Sequence, residues 1–410
     1  MPIRKRVNAT FSPLRIRNYR LFFSAQLVSL TGTWMQVVAQ SWLVLTITGS
    51  GTALGSVVAL QFLPMLIIGP WGGVLADRLH TRRILYFTNL CDAALAFFLG
   101  YLVATGAVEL WMIYILALAL GIVNAIDTTA RKVFVMELVG LKHIKSAVLL
   151  NGTLINGARL VGPAIAGILI AKFGLAPSFF INGLSFFFTI VALMLMRTNE
   201  LITKPTVAAA KGQVREGLRY VRENPVLFQV LIMIAIIGTL TLEFQVVFPL
   251  FAKYTLNGNA QTFAALMSLL SAGAVVGGLW GAGRAGNVTQ KTVVYSALAT
   301  GLSVLAMALV PNLWMALGAA FVVAASVITY TSFSQTILQI NSSPEMRGRV
   351  MSLWTVGMLG STPIGGFIIG YFSEVTSPRW GLAIGGIAAI IAGIIGLYWS
   401  STQKQNVKTS

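Results

Sequence analysis

Along most of this chain, polar residues are short interruptions between apolar runs of about twenty residues. Each run is long enough to cross a hydrocarbon core of ~30 Å as a helix rising ~1.5 Å per residue. Twelve runs can be traced, at 19–46, 52–76, 84–106, 110–135, 147–171, 176–197, 226–251, 261–283, 291–310, 313–339, 350–373 and 380–400. Lipid cannot satisfy a backbone N–H or C=O, so such runs must close their own hydrogen bonds as helices. The alternating polarity of outer-membrane barrel strands is absent. The pattern therefore predicts an all-α polytopic membrane protein with twelve transmembrane helices. A basic segment, MPIRKRVNATFSPLRIRNYR, precedes the first run, which is too long for a signal-peptide core, so a retained first helix is expected.

Composition sharpens this picture. Charged residues make up 10% of the chain and hydrophobic ones 56%, whereas a soluble domain carries roughly 25% charged residues. A water-facing surface cannot be covered with so few. The net charge of +18 is distributed unevenly. Of 29 Lys and Arg, 25 lie in the N-terminal tail, the segments 77–83, 131–145, 197–225, 284–291 and 341–349, and the C-terminal tail. Lys172, Lys253 and Arg379 fall on the other face, and Arg159 lies inside a run. By the positive-inside rule, both termini and the central segment are expected in the cytoplasm. The basic balance is then a topology signal with some attraction for anionic lipid. No basic run is interleaved with aromatics, so no nucleic-acid partner is expected. The single cysteine, Cys91, lies within a run and excludes a disulfide framework.

The polar stretch 198–225 separates six runs from six. The expected organisation is an N-terminal bundle at 1–198, a linker at 199–225 and a C-terminal bundle at 226–410. Within the linker, KGQVREGLRYVRENP places Val214, Leu218 and Val221 on one helical face beside Arg215, Arg219 and Arg222, a pattern suited to the inner bilayer surface. Weak self-similarity accompanies the division. RLVGPAIAGILI and LGSTPIGGFIIG put Pro163 and Pro363 at the same place in runs 5 and 11, and Arg78 after run 2 corresponds to Arg284 after run 8.

The segment GGVLADRLHTRR carries G-x-x-x-D-R-x-x-x-R-R between runs 2 and 3. With twelve runs arranged as six plus six, the chain resembles the major facilitator superfamily over essentially its whole length. NAIDTTARKVFVMELV, INGARLVGPAIAG, REGLRYVRENP and PEMRGRVMSLW resemble its siderophore-exporter and macrolide-efflux branch of drug:proton antiporters. The resemblance implies two pseudo-symmetric six-helix bundles working by alternating access. It also implies a cytoplasmic conformational latch built from Gly73, Asp77, Arg78, Arg82 and Arg83, with Arg131 on run 4 as partner to Asp77. A carboxylate at a helix start gains ~0.3–1 kcal/mol from the helix dipole. A reading of the three arginines as inside-face markers remains open. Around His80-Thr81 the family's usual glycine is missing, the second-half copy lacks the Asp, and Gly157, Gly162, Pro163 and Gly167 only approximate the antiporter pattern of run 5.

Four charges lie well inside runs: Asp92, Asp127, Arg159 and Glu243. An ionisable group there costs ~2.5–3.5 kcal/mol on insertion scales and faces a partner or a cavity. Burial favours the neutral carboxyl and a neighbouring Arg the charged one, so a group between the two can take up and release a proton. Asp127 and Glu243 are the expected proton carriers, with Arg159 modulating Asp127. The alternative is a static Asp127–Arg159 bridge, with Asp92 hydrogen-bonded inside the bundle.

Gln26, Ser29, Thr33, Gln36 and Gln40 recur at spacings of 3, 4, 3 and 4 on one face of run 1. They are expected to line a substrate cavity with Asn124, Asn156, Gln335 and Gln339. Such side chains also serve as interhelical hydrogen-bond glue, at ~0.6 kcal/mol a pair. There is no G-x-x-x-x-G-K-[ST] loop, and His80 and His143 have no H-E-x-x-H context, so neither a nucleotide, a metal nor another cofactor is expected. The expected partners are a small-molecule substrate, protons and membrane lipid, for a monomer in a bacterial cytoplasmic membrane. The chain reads as a proton-coupled exporter of a bulky, drug-like or siderophore-like molecule, not an enzyme. A lipid or lysolipid flippase and a nutrient or metal-ion importer are the competing classes.

Overall fold

A computed structural model describes residues 11–78, 80–202 and 213–409, with the side chains of 68–78, 213–215, 285 and 400–409 outside the description. Ten helices among the described residues are long and apolar enough to span a membrane. Two adjustments bring these to the twelve expected spans. The 64-residue run Leu110–Phe173 turns at Gly140, where φ is 65° and ψ 177°, and a shorter apolar helix, Gly51–Ile67, stands where the second span is expected. The left-handed φ at residue 140 admits glycine without strain, so no loop is needed where the hydropathy pattern left 136–146 open.

In chain order the helices are α1 (Arg17–Thr48), α2 (Gly51–Arg78) and α3 (Thr81–Thr105). Next come α4 at 110–139, α5 at 141–173 and α6 (Ala176–Leu195). The linker helix α7 (Gln213–Glu223) precedes α8 (Pro225–Leu240) and α9 (Phe244–Leu250), which together form the seventh span. Then follow α10 (Ala260–Arg284), α11 (Gln290–Leu309), α12 (Leu313–Ile340), α13 (Arg347–Thr355), α14 (Thr362–Val375) and α15 (Pro378–Thr409). Hydropathy marks spans 7 and 11 as continuous, and each carries a local irregularity. α8 stops at Leu240 before α9, and a π turn at Val356–Gly360 separates α13 from α14. The two matched prolines differ accordingly. Pro163 sits inside the continuous α5, whereas Pro363 opens α14, where its missing N–H is not needed.

The chain forms two contact units. The first holds Met1–Leu43 and Leu63–Ala209, the second Val44–Phe62 and Ala210–Ser410. In the first, Tyr19, Phe22, Leu85, Phe134 and Leu138 form a buried cluster, with the Phe22 and Phe134 rings edge to face at 5.3 Å. In the second, Leu227, Met233, Ile237, Val294, Tyr330 and Leu338 are buried together. Val221 of α7 joins that cluster, while Leu218, expected on the same face, is 49% exposed. Glu216 pairs with Arg349 at 2.6 Å, and the Tyr220 hydroxyl accepts the Ser343 N–H at 3.1 Å. α7 is therefore docked on the start of the eleventh span as well as amphipathic.

Within the second unit the start of α2 lies backbone to backbone against α14. A Cβ at Gly51 would meet the Gly370 carbonyl at 2.5 Å, and Gly55 lies against the Gly366 carbonyl. Two glycines four apart on each helix make this close crossing possible, as small residues do at membrane helix interfaces. Gly55→Val should therefore force the helices apart at a cost of ~1–3 kcal/mol. Thermal unfolding of the detergent-purified protein, followed by tryptophan fluorescence, should show a lower midpoint. An unchanged midpoint would contradict the close crossing.

Candidate functional site

The buried charges fall into two groups. In the first unit, α3 and α4 bring Asp92, Asn89, Thr88, Asp127 and Arg131 together. Asp127 is 5% exposed. Its Oδ1 accepts the Thr88 hydroxyl at 2.8 Å, and its Oδ2 accepts Arg131 Nε at 2.7 Å and lies 2.6 Å from Nη2. Arg131 stands four residues after Asp127, so one face of α4 supplies both charges. Asp127 thus has Arg131 as an ion-pair partner, a pairing that the sequence reading gave to neither residue; the side chain of Asp77, the partner expected for Arg131, lies outside the described residues. The physical reason is proximity: an i,i+4 pair on one helix needs no neighbour to align.

One turn away, Asp92 is 3% and Asn89 0% exposed. The Asn89 amide donates to the Leu85 carbonyl at 2.7 Å. Asp92 Oδ1 and Asn89 Oδ1 have no hydrogen-bond donor among the described residues. Two buried acceptors one turn apart, within electrostatic range of Asp127 and Arg131, make this the unsatisfied part of the cluster. Such a position can take up a proton.

In the second unit, Glu243 stands at the break between α8 and α9 and is 4% exposed. Its main-chain carbonyl accepts the N–H groups of Val246 and Val247 at 3.0 Å, which starts α9. Its side chain points at the beginning of α14. Oε1 has no hydrogen-bond partner among the described residues. A Cβ at Gly365 would fall 3.0 Å from Oε1 and one at Gly366 3.4 Å from Oε2, so two glycines form the floor under the carboxylate. Broken helices around an ionisable group are the form that transporter sites take in a membrane.

The remaining predicted residues separate. Gly73, Asp77 and Arg78 have side chains outside the described residues. Arg82 is more than a topology marker: its Nε and Nη2 reach the Leu193 carbonyl at 3.0 and 2.6 Å, closing the C-terminal end of α6. Arg83 is exposed. Arg159 lies with its guanidinium 4.5 Å from the Trp34 ring centroid, where Gly162 brings α5 onto α1. On α1, Gln26, Ser29, Gln36 and Gln40 are buried and Thr33 is half-buried. Gln36 accepts the Asn182 amide of α6 at 2.7 Å, the interhelical role, whereas Gln26 Nε2 has no acceptor among the described residues. Asn124 and Gln339 are exposed, and Asn156 and Gln335 half-buried.

Sequence reasoning missed Glu374, which caps the start of α2 through Ser50 Oγ at 2.6 Å and the Thr52 N–H at 2.8 Å. It also missed the work of the minority cations. Lys253 donates to the Leu45 carbonyl at 3.1 Å, and Arg379 to those of Ala308 and Val310 at 2.6 and 2.9 Å. Their presence on a face otherwise stripped of Lys and Arg was the available signal.

A family model described as transmembrane secretion effector matches residues 8–409. Among relatives, macrolide efflux protein A of Streptococcus pyogenes is 24% identical over 92% of this chain and 96% of its own. The staphyloferrin A transporter of Staphylococcus aureus is 24% identical over 63% of this chain and 65% of its own. For the uncharacterized MFS-type transporter YfiS of Bacillus subtilis the identity is 27%, over 50% of this chain and 49% of that one. The chain thus spans about half to two thirds of the length of the latter two. A solved bacterial homolog of the human lysosomal transporter Spinster has the same fold, with a TM-score of 0.70 at 14% identity over 94% of this chain and 96% of that one.

Removing one member of the Asp127–Arg131 pair should leave a buried charge uncompensated. Arg131→Ala is expected to cost about 3 kcal/mol, and much less in an Asp127→Asn background. A double-mutant cycle on the unfolding midpoint measures this. Additive effects would mean that the pair carries no coupling.

Proposed function

We propose that this chain, which belongs to the transmembrane secretion effector family of the major facilitator transporters, exports a bulky small molecule from the cytoplasm by proton-coupled alternating access. It is an integral membrane transporter and not an enzyme. Export is supported by the relatives, one a macrolide efflux protein and another a staphyloferrin A transporter. Such cargoes are large and amphipathic, and a wall mixing glutamine, serine and aromatic side chains suits them. The Lys and Arg bias supports cytoplasmic termini in a bacterial cytoplasmic membrane, and the six-plus-six division at 1–198 and 226–410 supplies the two moving halves.

The observation that carries proton coupling is the pair of orphaned carboxylate oxygens, on Asp92 in the first unit and Glu243 in the second. A carboxyl oxygen with no donor, sealed from water, is satisfied when it holds a proton. Asp127 is differently placed: Arg131 and Thr88 occupy both its oxygens, so it orients the cluster and compensates Arg131. The carriers are therefore Glu243, as the sequence suggested, and Asp92 in the place first given to Asp127. Arg159, over Trp34, stands on the wall of α1 beside the Gln26-to-Gln40 stripe. Asp77, with Gly73, Arg78, Arg82 and Arg83, keeps its proposed role as a cytoplasmic latch. Each proton moved inward down 100 mV supplies ~2.3 kcal/mol, enough to bias the direction of a cycle.

The test is accumulation of a drug and siderophore panel in cells with and without the protein, repeated with an uncoupler. Uncoupler-sensitive loss of at least one compound is expected, and uptake would overturn the direction. In inverted vesicles, Glu243→Gln and Asp92→Asn should each abolish proton-driven accumulation while leaving substrate exchange without a gradient largely intact. Full proton-driven transport in both variants would end the carrier assignment.

A further inference from the structure

The face that the basic bias assigns to the outside carries few charges, and several of them meet at one place. The turn joining α1 to α2 is held from two sides within the second contact unit. Glu374, next to last in α14, accepts from the Ser50 hydroxyl at 2.6 Å and the Thr52 N–H at 2.8 Å, at the first turn of α2. Lys253 and Tyr254, in the π turn that ends the seventh span, donate to the carbonyls of Leu45 at 3.1 Å and Gly49 at 2.9 Å, where α1 ends. The acid sits at a helix start and the base at a helix end, each the sign that the helix dipole favours there. One turn further in, Gly51 and Gly55 lie against Gly370 and Gly366, so the polar contacts close over a dry, close-packed crossing. A cavity of about 480 Å³ flanks Glu374 and is lined by Tyr254, Thr376, Ser377 and Arg379.

We propose that Glu374, with Lys253 and Tyr254, forms an extracytoplasmic clasp on the α1–α2 turn that must open in each transport cycle, with Glu374 as the positioning residue that sets how often it does. The clasp rests on the reading of the chain as a transporter with this turn outside. Its bonds suit that task. They join side chains to backbone ends at a water-exposed rim, where solvent replaces a broken partner at once. The contact beneath is made of glycine backbone, which separates without leaving a cavity lined by large side chains. A buried ion pair at the same place would hold the turn too firmly to cycle.

The test uses the whole protein in cells, with Cys91→Ser and a single reporter, Val58→Cys. Val58 is 3% exposed and shares the Gly51/Gly55 face of α2 at helical spacing. Ile369→Cys, on the Gly366/Gly370 face of α14 and 1% exposed, serves as the second reporter. A membrane-impermeant maleimide added to intact cells should label either reporter slowly. Glu374→Ala should raise the labelling rate about tenfold, the effect of removing a charge-assisted hydrogen bond. Glu374→Gln should raise it less, because an amide oxygen can still accept from Ser50, and Lys253→Met should also raise it. Unchanged rates in Glu374→Ala and Lys253→Met with both reporters would overturn the clasp. Labelling from inverted vesicles but not from cells would overturn its placement outside. If the parent exports no compound of the panel while labelling still responds to Glu374→Ala, the export reading fails and the clasp stands.

Discussion

A polar group in hydrocarbon has no water to fall back on, and most of what is particular to this chain follows from that constraint. A helix satisfies its own interior but leaves carbonyls at its end and N–H groups at its start. In this structure the scarce charges are spent on those ends. Arg82 closes α6, Arg379 closes α11, Lys253 closes α1, and Glu374 opens α2. An ion pair does lie in the membrane interior, Asp127 with Arg131, and breaking it would leave a buried charge uncompensated.

The same constraint explains where irregular backbone can occur. The gap between α8 and α9 is backed by α15, where Thr241 donates to the Gly385 carbonyl at 2.8 Å. It is also backed by α14, whose Gly365 lies against the Thr239 carbonyl. Freed backbone groups are thus surrounded by protein and not by lipid. Glycine makes the enclosure tight enough, and its tightness is what buries Glu243. The carboxylate and the helix break are therefore one feature: without the break Glu243 would sit on a helix side, and without the glycines α14 could not cover it.

The spans were legible in the sequence because their information is local. About twenty apolar residues in a row encode a length, and length is what a bilayer selects. The breaks were not legible, since the apolar run carries on past the single acid of Leu240–Phe244 and is uninterrupted through Val356–Gly360. Hydropathy records composition and not hydrogen-bond pattern. At the site, the positions of Asp92, Asp127 and Glu243 were evident as charges in apolar surroundings, while their partners were only half so. Asp127 and Arg131 stand four apart on one helix, a spacing readable in the sequence. Gln36 illustrates the opposite limit: its stripe was visible, but whether the amide meets a cavity or Asn182 depends on how α6 is rotated. Glu374 lies one residue past the run 350–373, in a position that looks like an ordinary loop acid until its partners are known.

Two acids of the second unit, Glu243 and Glu374, hold the same helix. Glu243 touches α14 at Gly365 and Gly366, and Glu374 leaves it eight residues after the last of these, about 12 Å further along at ~1.5 Å per residue. Between them α14 is regular, and Gly366 and Gly370 keep its backbone on that of α2. A continuous helix of 14 residues is stiff over that distance, so it cannot shift or tilt at Gly365 without moving the carboxylate at its far end. The π turn at Val356–Gly360 lies immediately before this segment and separates it from α13, to which α7 is docked. The 14-residue helix α14 therefore ties the carboxylate of Glu243 to the contact that Glu374 makes with the α1–α2 turn.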